Sequence, residues 1–138
     1  MRHGRRLVHA AALLLTLAAC SMKNVEAEAP DAGETRTFDA PYAAVRRAAV
    51  IGIERMRLDI TNQSEEPGRL VILFVRPTGG VQWGAAGRLV VDKSDAPPIA
   101  VHIVYDRRFP LSGGGQERWA RAIFAKMAQE LRAEPDKP

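Results

Sequence analysis

From residue 38 onward the apolar positions recur with two different periods, and the changes of period divide the chain into elements. Val45, Ala48, Ala49, Gly52, Ile53 and Met56 fall three and four residues apart, with Arg46, Arg47, Glu54 and Arg55 on the other faces, which predicts a helix. Asp39-Ala40-Pro41 would start it, Asp39 or a neighbour as cap and Pro41 in the first turn. Gly52 within this stripe costs about 1 kcal/mol against alanine but lets another backbone approach. Four strands are expected next, at Leu58 to Asn62, Leu70 to Val75, Arg88 to Asp92 and Ile99 to Tyr105. Glu66-Pro67-Gly68, Thr78-Gly79-Gly80 and Asp95-Ala96-Pro97-Pro98 separate them with turn chemistry. A last helix is expected from about Gly115 to Arg132, its stripe formed by Trp119, Ile123, Met127 and Leu131 and widened by Ala122, Phe124 and Ala128.

Helix, strands, helix implies an α+β domain over residues 38–133: a two-layer sandwich with a four-stranded antiparallel sheet flanked by an N-terminal and a C-terminal helix. In element order alone this is similar to the helix-grip modules of several small envelope lipoproteins, including lipoprotein subunits of the outer-membrane barrel-assembly machinery. One strand stands apart. Leu70 to Val75 is apolar throughout, with Leu70, Ile72 and Phe74 pointing one way and Val71, Leu73 and Val75 the other. Two helices on a single face cover only one set. The second set, Val71, Leu73 and Val75, is therefore expected to meet a partner chain or to lie beneath the glycine-rich loop that carries Trp83.

The start of the chain follows other rules. Arg2, Arg5 and Arg6 precede an almost wholly apolar run from Leu7 to Ala19, the layout of a secretory signal. Thirteen residues fall short of the roughly 20 that span a bilayer. Leu17-Ala18-Ala19-Cys20 resembles the lipobox of bacterial lipoproteins: an aliphatic residue, two small ones, then the cysteine. The resemblance covers residues 1–20 and implies a diacylglycerol on the Cys20 thiol, with cleavage just before it. Residues 1–19 are then the signal peptide. Residues 20–37, poor in apolar groups, read as a flexible lipidated tether, and 134–138 as a disordered tail. Ser21 after the cysteine, in place of aspartate, favours the outer membrane and a periplasm-facing domain, with the inner membrane as the other address.

Cleavage also changes the charge. The chain carries 20 basic and 16 acidic residues, and three arginines precede Cys20, so the mature chain is 17 against 16, or +1. That balance argues against nucleic acid as a partner. Cys20 is the only cysteine, so no internal disulfide staples the domain.

Chemistry-bearing residues are scarce. His102 is the one histidine left after cleavage, and an imidazole within an apolar strand is ordinarily packed or exposed at an edge, so no catalytic residue, metal site or cofactor is expected. Ser112-Gly113-Gly114-Gly115 lacks the Gly-Lys-Ser/Thr of a phosphate loop. Trp83, among four glycines, either completes the core or anchors a partner. Arg46-Arg47, Arg55-Arg57 and Arg107-Arg108 are expected as solvated surface charge. The sequence thus points to a non-enzymatic interaction module on a lipid anchor, binding protein or cell-wall components, with a pocket for a lipid or other apolar ligand as the alternative. Fatty-acid labelling checks the anchor: the wild type should take up label and Cys20→Ala should not.

Overall fold

The strands form a single sheet in which all neighbours run antiparallel. The structure, a computed structural model, describes residues 22–76, 86–106 and 115–133. A short helix α1 at 22–27 leads into β1 (Glu34–Phe38), followed by α2 (Tyr42–Arg55), β2 (Asp59–Glu66), β3 (Arg69–Val75), β4 (Ala86–Asp92), β5 (Ile99–Tyr105) and α3 (Gly115–Ala133). The strands lie in the order β1-β5-β4-β3-β2. The last four form a meander, and β1 adds to the outer edge of β5, Glu34 opposite Ile103 and Phe38 opposite Ile99. Among the described residues no helix is long and apolar enough to cross a membrane.

The α+β class with an antiparallel sheet agrees with the sequence, but the sheet has five strands where four were expected. α1 and all of the additional strand but Phe38 fall within 20–37, the stretch read as a flexible tether. Residues 22–38 instead lie on the domain. β1 needs little apolar surface because β5 pairs with its backbone along the whole length, and Phe38 alone anchors it in the core. The tail at 134–138 lies outside the described residues.

One face of the sheet meets both long helices. Leu70, Ile72, Phe74, Leu89, Val91, Ile99, Val101 and Ile103 pack against Val45, Ala48, Ala49 and Ile53 of α2 and Ala120, Ile123, Phe124 and Met127 of α3. Each fully buried side chain of this size contributes about 1.5–3 kcal/mol. Gly52 does bring the helices close: a Cβ there would stand 3.0 Å from the Met127 side chain. Gly87 has a similar reason, since the Phe74 ring of the paired strand occupies the place a Cβ would take.

The helix ends differ in quality. Pro41, not Asp39, is the N-cap of α2, and no side chain caps it; the Pro41 carbonyl accepts from the amides of Ala44 and Val45 at 3.0 and 3.1 Å. At the other end Arg57 adopts φ 55°, its amide bonding the Glu54 carbonyl and that of Leu58 reaching back to Ile53. This is a Schellman ending, built with a residue that has a Cβ where glycine is preferred. Left-handed backbone costs an L-residue about 1–2 kcal/mol. Arg57→Gly should therefore stabilise the domain by about 1 kcal/mol, read as a higher denaturant midpoint with an unchanged slope.

Candidate functional site

The second face of the sheet, turned away from α2 and α3, carries the buried polar groups Arg88 and His102. Cross-strand register sets Asn62, Ser64 and Glu66 of β2 beside Leu73, Val71 and Arg69 of β3, and these beside Arg88, Val90 and Asp92 of β4. Val104 and His102 of β5 continue the rows, opposite Arg88 and Val90.

The N-terminal segment crosses this face. Val25, only 1 % exposed, inserts between Ala86 and Val104, and Met22, Ala32 and Val75 close around it. Next to it the Arg88 guanidinium donates to three backbone carbonyls: Nη1 to Glu26 at 3.3 Å and Glu28 at 2.9 Å, Nη2 to Ala29 at 2.6 Å. Asn24 adds a side-chain bond to Asp106 at 3.3 Å. Arg88 is 5 % exposed, and its Nε is buried without a hydrogen-bond partner. Burial lowers its pKa below the ordinary arginine value, and the charges of Glu28 and Glu66 act in the opposite direction. The group stays charged, because arginine does not give up its proton in proteins.

The second apolar set of β3 is thus divided. Val75 lies under the N-terminal segment, a cover that neither expectation for this face anticipated. Val71 and Leu73, with Val90, line a groove of about 480 Å³ between that segment and β2. Glu26, Glu28, Pro30, Asn62, Ser64, Glu66, Arg69 and Arg88 complete its lining. The groove pairs an apolar strip with two cations, three carboxylates and two small hydrogen-bonding side chains. That mixture suits an extended polar chain, whose backbone needs donors and acceptors at close intervals.

His102 is not the isolated imidazole that its sequence context implied. Nε2 lies 3.1 Å from Asp92 Oδ2, and Nδ1 lies 2.8 Å from Thr35 Oγ1. A carboxylate only accepts, so in the neutral ring Nε2 carries the proton and Nδ1 accepts from the threonine hydroxyl. The order hydroxyl, imidazole, carboxylate is that of acyl-transfer triads. Here the three groups sit on β1, β5 and β4, Thr35 directly opposite His102 and Asp92 two residues beyond Val90, the β4 residue that faces His102. On this geometry they tie three strands together across one face.

Of the residues singled out from sequence, Val71 and Leu73 come together in the groove and Val75 beside it. Trp83, Cys20, Leu17, Ala18, Ala19, Arg107 and Arg108 lie outside the described residues. Arg46 and Arg55 form surface ion pairs, with Glu65 at 3.2 Å and Glu130 at 2.8 Å. Sequence reasoning missed Arg88, although a signal existed: it is in phase with Val90 and hence shares the face of the second apolar set. Compared with known proteins, the chain matches no family model and no curated protein.

Arg88→Leu should loosen the N-terminal segment and leave the sheet intact. Three charge-assisted bonds disappear, and with the freed carbonyls returning to water the net loss is about 2 kcal/mol. Hydrogen exchange at 22–33 should accelerate while β3, β4 and β5 stay protected; uniform acceleration throughout would mean that Arg88 supports the whole domain.

Proposed function

We propose that this chain is a lipid-anchored bacterial envelope protein whose small α+β domain is a non-enzymatic binding module for a protein partner or a cell-wall component. The groove over Val71, Leu73 and Val90 carries the proposal, because it combines a half-buried Val71 and a buried apolar floor with hydrogen-bonding groups at its rim. The layout Leu17-Ala18-Ala19-Cys20 behind a basic and apolar leader supports the anchor and a place on the outer membrane, facing the periplasm.

The packing favours this over the alternative of a helix-grip binder for a lipid or other apolar ligand. Such a binder needs space between sheet and helices. That interior is filled by Ile53, Leu70, Ile72, Leu89, Val91, Val101 and Ile123, each with none of its surface exposed. The groove lies on the opposite face. Its lining of Asn62, Ser64, Glu66 and Arg69 suits a polar chain better than an acyl chain.

Photocrosslinking in intact cells tests the proposal. A crosslinking residue at Asn62 or Ser64, on the groove, should trap one discrete envelope component, and Val71→Glu should abolish the product. The same residue at Ala43, exposed on α2, should trap none. Identical products from both faces would remove the groove from the function.

A further inference from the structure

The way the N-terminal segment is held fixes how the domain stands on a membrane. This inference rests on acylation of Cys20, the anchor proposed above. Four sets of contacts bind residues 22–38 to the sheet: Val25 in its apolar socket, the Arg88 fork on the carbonyls of Glu26, Glu28 and Ala29, Asn24 on Asp106, and β1 on β5. Gly33 makes the last approach to β1 tight, since a Cβ there would collide with the Ile103 carbonyl, and its φ of 91° suits glycine.

Val25 marks one end of the sheet. Its neighbours Val75, Ala86 and Val104 stand at the end of β3, the start of β4 and the end of β5. Chain length then limits where the lipid can be. Cys20 is two residues from Met22, at most about 7 Å of extended chain. Met22 to Val25 is helical and adds about 4.5 Å along its axis. The acylated residue must therefore lie within about 12 Å of the buried Val25. The headgroup layer on each side of a bilayer is roughly 5–7 Å deep. A free tether over 20–37 would instead let the domain wander about 20–25 Å in any orientation.

We propose that the acylated protein sits directly on the bilayer, with the end of the sheet formed by Val75, Ala86, Val104 and Asp106 turned toward the lipid headgroups. Lys23 and Arg76 are exposed at this end. Basic groups near an anionic surface are attracted to it. The opposite end, with Glu66, Asp92, Lys93 and Asp95, stands away from the lipid by the length of a seven-residue strand, about 23 Å.

The lone cysteine makes the test direct, because once Cys20 is acylated any added cysteine is unique. Asp59→Cys places a probe beside Val75, and Asp95→Cys places one just beyond the far end of β4; both positions are exposed. Full-length lipidated protein is reconstituted in phosphatidylethanolamine–phosphatidylglycerol vesicles doped with a headgroup spin-labelled lipid. The residue 59 probe should be quenched several-fold more than the residue 95 probe. Twelve glycine and serine residues inserted between Ser21 and Met22 should erase the difference. Equal quenching before the insertion, with mass spectrometry showing acyl chains on Cys20, overturns the orientation and leaves the anchor standing. A chain bearing no acyl group on Cys20 overturns both.

Discussion

A buried guanidinium with no carboxylate hydrogen-bonded to it is an expensive object, and the second face of this sheet is organised around one. Arg88 is tolerated because its fork meets backbone carbonyls, one of which, that of Ala29, also accepts from the Ala32 amide. Those of Glu26, Glu28 and Ala29 lie at and just beyond the end of α1, where a helix leaves its last acceptors unsatisfied. Each side thus satisfies the other. Without the segment Arg88 would project from a half-apolar face; without Arg88 the segment would keep Val25, the Asn24 contact and the pairing of β1 with β5. Lysine could not substitute, since its three donors diverge from a point and cannot span a row of carbonyls.

The two faces of the sheet consequently behave differently. The helix side is apolar throughout. The other side is zoned: the Val25 socket at one end, Arg88 and its carbonyls next, then Val90 and Val71 beside the groove, and Thr35, His102 and Asp92 across β1, β5 and β4. Binding is proposed in the zone where the cover stops. The same segment that shields Val75 also supplies one side of the groove, through Glu26, Glu28 and Pro30.

Much of this architecture was legible in the residues, and what was not has physical causes. β3, β4, β5 and α3 announce themselves because burial imposes a period on them. The unbroken run Leu70 to Val75 also announced that the far face needed a cover. What the cover was could not be read. Val25 is one apolar residue among alanines and glutamates, and its worth depends on a socket built by Ala86 and Val104, some 60 and 80 positions later. β1 was hidden for the opposite reason: Glu34, Thr35, Arg36 and Thr37 are held by the backbone of β5, and backbone hydrogen bonding leaves no mark on polarity. His102 looked solitary because its partners come from two other strands. The resemblance of Leu17-Ala18-Ala19-Cys20 to a lipobox rests on local order alone and draws on no fold.

The edges of the sheet sharpen the question of which surface a partner would use. β1 and β2 are the outer strands, and an open strand edge is itself a binding template. Both are guarded. β2 breaks its register between Ile60 and Asn62, where the Thr61 hydroxyl bonds the Leu73 carbonyl, and it ends in Glu65 and Glu66. β1 alternates charge with threonine and holds Arg36 over the Phe38 ring. A bulge and charged side chains of this kind discourage another strand from adding. With the helix face filled and both edges blunted, the groove beside the N-terminal segment is a described surface where apolar side chains and hydrogen-bonding groups meet. Selectivity there would come from the spacing of Arg69, Arg88 and Glu66 around the apolar strip, since charges that must be matched in position reject a wrong chain more strongly than an apolar floor can.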